Sequence, residues 1–312
     1  MFRPCILICY SEKKKSVVSK MKAIETKHLT KYYGKSRGIV DLNLTVNQGE
    51  FFGFIGPNGA GKSTTIRTLL GLISCSEGNA TVLGFDIKKD KEKILERIGY
   101  MPSETTFYAG MRVRDVLKLS ADLRGKDCSQ EAKVLCERLQ LDTAKKVDEL
   151  SFGNKKKLAI VCALQHEPEL LILDEPTSGL DPLMQREFFR ILQERNAKGT
   201  TIFLSSHILA EVQRNCTKAG IIREGKLIAC GSVEALSQTN AKRVHVQGDI
   251  SIDELKEVRD LRQTENGKTF LYGGDMNSLL QVLAKQQVQD LSISEPDLEE
   301  IFMHYYADGG EA

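Results

Sequence analysis

The stretch Gly56 to Thr64, Gly-Pro-Asn-Gly-Ala-Gly-Lys-Ser-Thr, constrains the fold of this chain more than any other. It fits the pattern G-x-x-x-x-G-K-[ST], follows the apolar run Phe51 to Ile55 and leads into Thr64 to Leu72, which predicts strand, loop and helix. Backbone N–H groups of such a loop point at phosphate oxygens, and the positive end of the following helix favours the same anion. We therefore expect a nucleotide site in which Lys62 bridges the β- and γ-phosphates and Ser63 ligates Mg²⁺.

Charge and cysteine content exclude several other classes of protein. The 312 residues suit two modest domains, and 44 basic against 42 acidic residues give a net charge of +2, with no electrostatic footprint for nucleic acid. The eight cysteines form no C-x-x-C pair, which argues against a zinc site and against a disulfide framework. This cysteine usage fits a reducing cytosol.

The N-terminal segment is predicted to lie outside the fold. Its apolar run, residues 4–10, is much shorter than the roughly 20 residues of a membrane span, and no other stretch approaches that length. Met21 begins a natural first strand, so residues 1–20 are predicted to be a disordered extension. On this basis the chain itself is expected to be soluble.

Short apolar and alternating runs predict most of the remaining elements. Tyr32, Tyr33 and Gly34 are placed in a turn between the first two strands, where an exposed aromatic ring would stack on a purine base. A helical insertion is predicted over 113–141, and a hairpin over 219–229 turns at Glu224-Gly225. The predicted strands of this half of the chain are 22–29, 39–46, 80–83 and 98–101.

Two buried strands are predicted to deliver polar residues to one edge of a sheet. Leu170 to Leu173 ends in Asp174-Glu175, and Thr200 to Leu204 ends in Ser205-Ser206-His207. Continuous apolar runs of this kind suit parallel strands, whose carboxyl ends bind ligands. Asp174 would hold Mg²⁺ through its water shell, and Glu175 would polarise the water that attacks the γ-phosphate.

A second candidate anion site lies at Leu150 to Asn154, Leu-Ser-Phe-Gly-Asn, which precedes a helical run over 155–165. A hydroxyl residue and a glycine at a helix N-terminus can bind a phosphate oxygen, here through Ser151. Taken alone, the pentapeptide is equally typical of an ordinary helix cap. One nucleotide does not need two such sites from one chain.

Beyond residue 238 the composition is more polar and predicts a small βαββαβ unit. Residues 297–306 close it with an amphipathic helical stripe, which is more typical of packing than of a cofactor site. The predicted elements are strands at 244–246, 269–272 and 291–293 and helices at 252–258 and 276–286.

Together these motifs resemble, in order and spacing, an ATP-binding cassette (ABC) ATPase over residues 22 to about 237. Gly56 to Thr64 matches the family's Walker A motif, Leu150 to Asn154 its L-S-G-G-Q signature, and Leu170 to Glu175 its Walker B motif. The other matches are the segment leading into the D-loop at Pro176 to Asp181, the switch histidine at His207 and the adenine-stacking aromatic at Tyr33.

The resemblance implies an α/β fold: a P-loop ABC ATPase core over 21–237 with an antiparallel β subdomain and a helical subdomain at about 104–166. A small α+β C-terminal domain over 238–312 would follow. In this family two cassettes sandwich two ATPs, the signature of one capping the Walker A motif of the other. The resemblance therefore implies a homodimer or a heterodimer with a similar subunit.

ATP and Mg²⁺ are the ligands implied by the resemblance. It implies Glu175 and His207 as catalytic residues, and Ser63, Asp174 and Glu104 as candidate metal ligands. The implied ATP-binding residues are Tyr33, Gly56, Pro57, Asn58, Gly59, Ala60, Gly61, Lys62, Ser63, Thr64, Ser151, Gly153, Asn154 and Asp181.

Two positions depart from the family pattern. The signature has Phe152 in place of a glycine and Asn154 in place of the glutamine, while Ser151 and Gly153 are retained. The glutamine that usually follows the strand at 98–101 is replaced by Ser103, with Glu104 beside it. Either Ser103 binds the metal through water, or Glu104 is the oxygen ligand.

The length and the C-terminal extension resemble the ATP-binding subunits of bacterial drug, antibiotic and lipid exporters, in which a separate integral membrane permease forms the pathway. Residues 103–114 would then form the groove for a cytoplasmic helix of the permease, or else be a plain surface loop. The subunit would be cytoplasmic and peripheral on the inner face of the membrane, without nucleic acid as a partner. The alternatives are a soluble ABC ATPase acting on nucleic acid or ribosomes, an importer ATPase, and a non-hydrolysing subunit, which the retained Glu175 and His207 disfavour.

Overall fold

The computed structural model describes residues 21–237 and 242–294, and these form three β-sheets and nine α-helices. The predicted N-terminal extension and the stripe at 297–306 lie outside the described residues. The strands are β1 (Lys22–Tyr33), β2 (Ser36–Leu42), β3 (Thr45–Asn47), β4 (Phe51–Ile55), β5 (Glu77–Val82), β6 (Phe85–Asp86), β7 (Ile98–Met101), β8 (Leu170–Asp174), β9 (Thr201–Ser206), β10 (Lys218–Arg223), β11 (Lys226–Ser232), β12 (Lys242–Gln247), β13 (Val258–Thr264), β14 (Gly267–Tyr272) and β15 (Asp290–Ser294). The helices are α1 (Lys62–Leu69), α2 (Lys91–Arg97), α3 (Val113–Asp122), α4 (Ser129–Arg138), α5 (Phe152–Leu164), α6 (Pro182–Ala197), α7 (Leu209–Asn215), α8 (Val233–Ser237) and α9 (Met276–Ala284).

The central sheet has the order β11-β10-β4-β9-β8-β7, and its strands are parallel apart from β11. Side chains of β4 alternate between two cores: Phe51 and Ile55 belong to one hydrophobic cluster, and Phe52 and Phe54 belong to another. A strand buried on both faces needs a continuous apolar run, which is why this part of the sequence predicted its strands well.

All the parallel strands end at the same edge of the sheet. The phosphate loop follows β4, Asp174 and Glu175 stand at the end of β8, and His207 follows β9. The segment beginning at Ser103 follows β7, next to β8. The predicted delivery of polar residues to one sheet edge is confirmed.

The second sheet is antiparallel, with the order β2-β1-β5-β6 and with β3 also paired to β1. Strand β1 is longer than predicted, because Tyr33 still pairs with Ser36 and the turn contains only Gly34 and Lys35. The placement of Tyr32 and Tyr33 in the turn was therefore wrong. This sheet shares a core with the face of the central sheet that carries Phe52 and Phe54.

Helices α3, α4 and α5 pack on the opposite core, together with Phe51 and Ile55. Ion pairs join this helical group to α6: Arg138 Nε lies 2.6 Å from Glu187 Oε1, and the Arg195 guanidinium contacts Glu131. The boundaries proposed for the helical subdomain, 104 and 166, remain predictions.

The C-terminal residues form a third sheet, β13-β14-β12-β15, which packs with α9 around their own apolar cluster. The helix predicted at 252–258 was wrong: Leu255 N donates to Ile252 O in a single turn, and Val258 begins β13. Both Ile252 and Leu255 are buried, so one turn produced the three-residue spacing that suggested a helix. The observed element order is βββαβ.

Candidate functional site

The loop between β4 and α1 forms a cradle of backbone groups. Gly61 has φ of 110°, and a Cβ there would lie 2.7 Å from the Gly38 carbonyl oxygen, so only glycine fits. The buried Lys62 side chain curls into the loop, where its Nζ donates to Gly56 O at 2.6 Å and to Pro57 O at 3.1 Å. Because α1 begins at Lys62, the loop meets the positive end of a helix.

The turn of the hairpin β10–β11 is hydrogen-bonded to this loop. Gly225 N donates to Ala60 O, and Gly225 O accepts from Val40 N, both at 2.8 Å. Arg37 of the antiparallel sheet pairs with Glu224 at 2.8 Å. The turn predicted at 224–225 therefore holds the loop between the two sheets.

Glu175 contacts two other predicted site residues. Its Oε1 lies 3.3 Å from Lys62 Nζ and its Oε2 lies 3.2 Å from His207 Nδ1. The Glu175 backbone has φ of 48°, and its N–H donates to Ser205 O at 3.0 Å. The structure thus brings together the first residue of α1 and the residues that follow β8 and β9, with a carboxylate between two basic side chains.

Asp174 is 2% exposed and accepts a hydrogen bond from Ser205 Oγ at 2.9 Å. Burial raises the pKa of the neighbouring Tyr100, and the Asp174 charge adds to this rise. The buried Asp174 carboxylate and the half-buried Ser63 hydroxyl at the start of α1 are oxygen donors of the kind that Mg²⁺ prefers, and the metal site stays a prediction. Among the described residues no group of three or more His, Cys, Asp or Glu could hold a metal ion.

The side chains of Tyr33 and Thr64 both lie close to Gly38, beside the loop. A Cβ on Gly38 would lie 2.9 Å from Thr64 Cγ2 and 3.1 Å from a ring carbon of Tyr33. The Tyr33 ring is half exposed, with Lys31 Nζ 5.2 Å from its centroid. An exposed ring at this distance from the loop is placed where a base attached to bound phosphates could stack.

The second predicted anion site lies at the start of α5. Ser151 is the N-cap, and its exposed hydroxyl accepts from Asn154 N at 3.3 Å. A Cβ on Gly153 would lie 2.7 Å from Gly179 O, which shows how closely this turn packs on the segment before α6. Within the described part of the chain, no hydrogen bond or ion pair joins residues 151–154 to the phosphate loop.

Asp181 is the N-cap of α6, and its Oδ1 accepts from Leu183 N at 3.1 Å and Met184 N at 3.0 Å. Its predicted part in ATP binding is untested by these contacts and remains a prediction. The same holds for Glu104, which is exposed after β7.

Ser205 was predicted to lie at the sheet edge but was given no role there, and Lys156 was not predicted to be part of the site. Ser205 bonds to Asp174, and Lys156 places its ammonium within 2.5 Å of Ser103 O. The burial of Lys156 could have been inferred from the helical spacing of apolar residues. Ile160 and Ala163, four and seven residues later, are buried on the same face of α5.

Comparison with known proteins identifies the family. A family model described as ABC transporter matches residues 39–178. The chain is 37% identical over 303 residues to the bacitracin transport ATP-binding protein of Bacillus licheniformis, covering 92% of this chain and 98% of that protein. The chain belongs to the ABC transporter family. The linearmycin resistance ATP-binding protein of Bacillus subtilis is 31% identical over 309 residues, covering 90% of the chain and 97% of that protein.

Solved ABC cassettes share the fold. An ATP-binding subunit of an ABC transporter matches with a TM-score of 0.66 and 32% identity, over 69% of this chain and 91% of that one. A cassette solved as a dimer in a post-hydrolysis state, bound to ADP and Pi, matches with a TM-score of 0.62 over 67% of this chain and 98% of that one. At 21% identity the second likeness shows the fold alone.

The resemblance inferred from the motifs and the predicted fold class are therefore confirmed. The chain is an ABC ATPase that binds ATP. The alternatives, an ATPase acting on nucleic acid or ribosomes and an importer ATPase, are not favoured. No helix in residues 21–237 or 242–294 has the length and apolar content to cross a membrane.

Proposed function

We propose that this ABC ATPase works as a dimer on a separate integral membrane permease, at the cytoplasmic face of the membrane, and drives export of antibiotic-like or lipid-like compounds. The observation that carries the proposal is Glu175, whose carboxylate is held between Lys62 and His207 at the sheet edge. The antibiotic-like class is supported by two relatives, which are named for bacitracin transport and linearmycin resistance.

In the proposed mechanism ATP is the substrate and the cradle at 56–64 binds its phosphates. Lys62 releases the two loop carbonyls and pairs with phosphate oxygens, while the Tyr33 ring stacks on the base. Glu175 accepts a proton from the water that attacks the γ-phosphorus, the bond from that phosphorus to the bridging oxygen breaks, and ADP leaves. His207 contacts the terminal phosphate. Ser63 and Asp174, with Ser103 or Glu104, would hold Mg²⁺, which neutralises charge on the phosphate oxygens.

The exposed start of α5 supports a dimer. Ser151 and Asn154 bond to each other and make no bond to the phosphate loop of their own chain within the described residues. A phosphate bound at 56–64 of one subunit can be capped by 151–154 of the other. A solved cassette of this fold is a dimer bound to ADP and Pi. The second subunit is an identical chain or a similar ABC subunit.

The segment 103–114 is the proposed docking site for the permease. It joins β7 to α3, so it lies between the catalytic sheet edge and the helical group. Tyr108 in this segment is 75% exposed, and Phe107 packs partly on the core. An exposed aromatic on an anchored loop suits a helix from a partner protein.

Replacing Glu175 by Gln tests the catalytic proposal. Because the amide cannot accept the proton, kcat for Mg²⁺-dependent ATP hydrolysis should fall at least ~100-fold, as expected for loss of a general base. ATP binding, measured with a fluorescent ATP analogue, should be retained. Glu169→Gln is the matched control, since Glu169 precedes the same strand at its opposite end and, among the described residues, its carboxylate forms an ion pair only with Arg97. Turnover of E175Q within twofold of wild type would refute the assignment.

A further inference from the structure

Lys156 is an unusual residue in the helix that follows the signature. It is the middle of three consecutive lysines on α5, and its side chain is 0% exposed, whereas Lys155 and Lys157 are half-buried. Lysine is almost never fully buried unless its ammonium has partners. The partners of Lys156 therefore indicate why the charge is kept inside.

The ammonium of Lys156 contacts three separate segments. Its Nζ donates to Ser103 O at 2.5 Å and more weakly to Glu175 O at 3.4 Å. The same atom lies 5.9 Å from the centroid of the Phe152 ring, within reach of a cation–π contact. One buried group thus joins the loop after β7, the loop after β8 and the first turn of α5.

Lys156 contacts the backbone of Glu175, which has an unfavourable conformation. Glu175 has φ of 48°, which a residue with a side chain seldom adopts unless its surroundings hold it there. Its N–H donates to Ser205 O at 3.0 Å, and its carbonyl oxygen accepts from Lys156. The two bonds fix the peptide groups on both sides of the carboxylate-bearing Cα.

Burial disfavours the charged form of the Lys156 side chain. Burial lowers its pKa, and the nearby carboxylates of Asp174, Glu175 and Glu104 act in the opposite direction. Its hydrogen bonds go to neutral carbonyl oxygens, so desolvation of the ammonium is poorly compensated. The buried Lys156 ammonium is therefore better explained by the backbone groups that it positions than by a contribution to folding stability.

We propose that Lys156 is a positioning residue that fixes the Glu175 backbone, so that its carboxylate stays between Lys62 and His207, and that ties this position to Ser103. The inference rests on the proposed function, in which Glu175 is the general base and residues 103–114 are the permease contact. A displacement of the loop after β7 then moves the Lys156 ammonium and, through it, Glu175.

Lys156→Met tests this inference in the full chain, because methionine keeps most of the volume and has no N–H donor. We expect kcat for ATP hydrolysis to fall at least tenfold while KM for ATP stays within threefold. Lys156→Gln retains two N–H donors for the two carbonyl oxygens and should recover at least part of the lost kcat. Lys133→Met, on the exposed face of α4, is the control and should match wild type. A kcat of K156M within twofold of wild type, or a K156Q value no higher than that of K156M, would overturn the proposal.

Hydrogen exchange gives a readout that does not depend on turnover. In K156M, amides of two segments far apart in sequence, 102–106 and 175–178, should both exchange faster than in wild type, while those of α6 are unchanged. If K156M does not fold, the same comparison is made with K156Q, for which smaller changes in the same two segments are expected. Unchanged exchange in either segment would exclude the proposed link.

The two proposals fail in distinguishable ways. If E175Q keeps its turnover, the catalytic role of Glu175 is wrong whatever Lys156 does. If E175Q is inactive and K156M has normal kcat and normal exchange, the catalytic proposal stands and the positioning role of Lys156 is wrong.

Discussion

At the scale of single residues, hydrogen bonds fix the positions of the charged groups of the site. The carboxylate of Glu175 contacts Lys62 and His207, whereas its backbone is oriented by the Ser205 carbonyl and by the Lys156 ammonium. Asp174 accepts a hydrogen bond from the Ser205 hydroxyl. In a buried site such bonds are stronger than in water, and they hold each group in one geometry.

His166 predicts a pH dependence of stability. It is 3% exposed, its Nε2 donates to Ile98 O at 3.0 Å, and burial lowers its pKa to about 4. An unfolded histidine titrates near pH ~6.5, so between these values the unfolded chain binds more protons than the folded chain. The contribution of neutral His166 to the free energy of unfolding is fully present above pH ~6.5. It is lost as the pH falls toward the pKa of the folded state, and the total loss is roughly 3 kcal/mol.

Urea unfolding of wild type and His166→Gln at pH 7.5 and pH 5.0 tests this dependence. Wild type should lose about 2 kcal/mol more free energy of unfolding than the variant on acidification, since the variant has no imidazole to protonate. Equal losses in the two proteins would show that His166 does not titrate in this way.

Residue positions could be predicted where a motif fixes them and not where packing does. Lys62, Glu175 and His207 were predicted to lie together because each stands at a fixed place relative to an apolar strand. The contacts of Lys156 and Ser205 were not predicted, because they depend on which segments lie beside these residues in space. A run of three lysines also suggests a solvated surface, and only the register of α5 shows that its middle member points inward.

At the scale of elements, burial on both faces made the central strands easy to predict. The runs at 98–101 and 170–173 agree with β7 and β8 to within one residue. The turn at 252–255 was mistaken for a helix because its two buried side chains are three residues apart. Strand β13 was missed since its side chains are mostly exposed and give no alternating pattern.

The close approach of Gly179 to Phe152 predicts that a side chain at position 179, before α6, would disturb the packing of the first turn of α5. Gly179 has φ of 80°, and a Cβ there would lie 2.3 Å from ring carbons of Phe152, at the start of α5. Gly179→Ala should therefore destabilise the fold by about 1–3 kcal/mol, from the left-handed backbone and the clash together. The melting temperature and the free energy of unfolding measure the effect.

The clash can be separated from the backbone strain with Phe152→Ala. The double variant F152A/G179A should be less destabilised relative to F152A than G179A is relative to wild type, because the ring is absent. Strictly additive effects would show that Phe152 and Gly179 do not contact each other.

At the scale of the whole molecule, the described residues have three hydrophobic cores with different roles. Two lie on opposite faces of the central sheet, where they join it to the antiparallel sheet and to the helical group. The third belongs to the C-terminal sheet and α9. The helical group carries both the start of α5 and the end of the segment 103–114, so movement of this group would affect the proposed dimer contact and the proposed permease contact together.

Co-purification from native membranes tests whether this ATPase acts on a membrane permease. The tagged full chain is isolated beside a variant in which Phe107 and Tyr108 are replaced by Ala, and the proteins retained are identified by mass spectrometry. We expect a polytopic membrane protein to be retained by wild type and depleted at least several-fold with the variant. Ribosomal proteins or DNA-processing factors in its place, with no membrane protein, would show that the chain does not act on a permease.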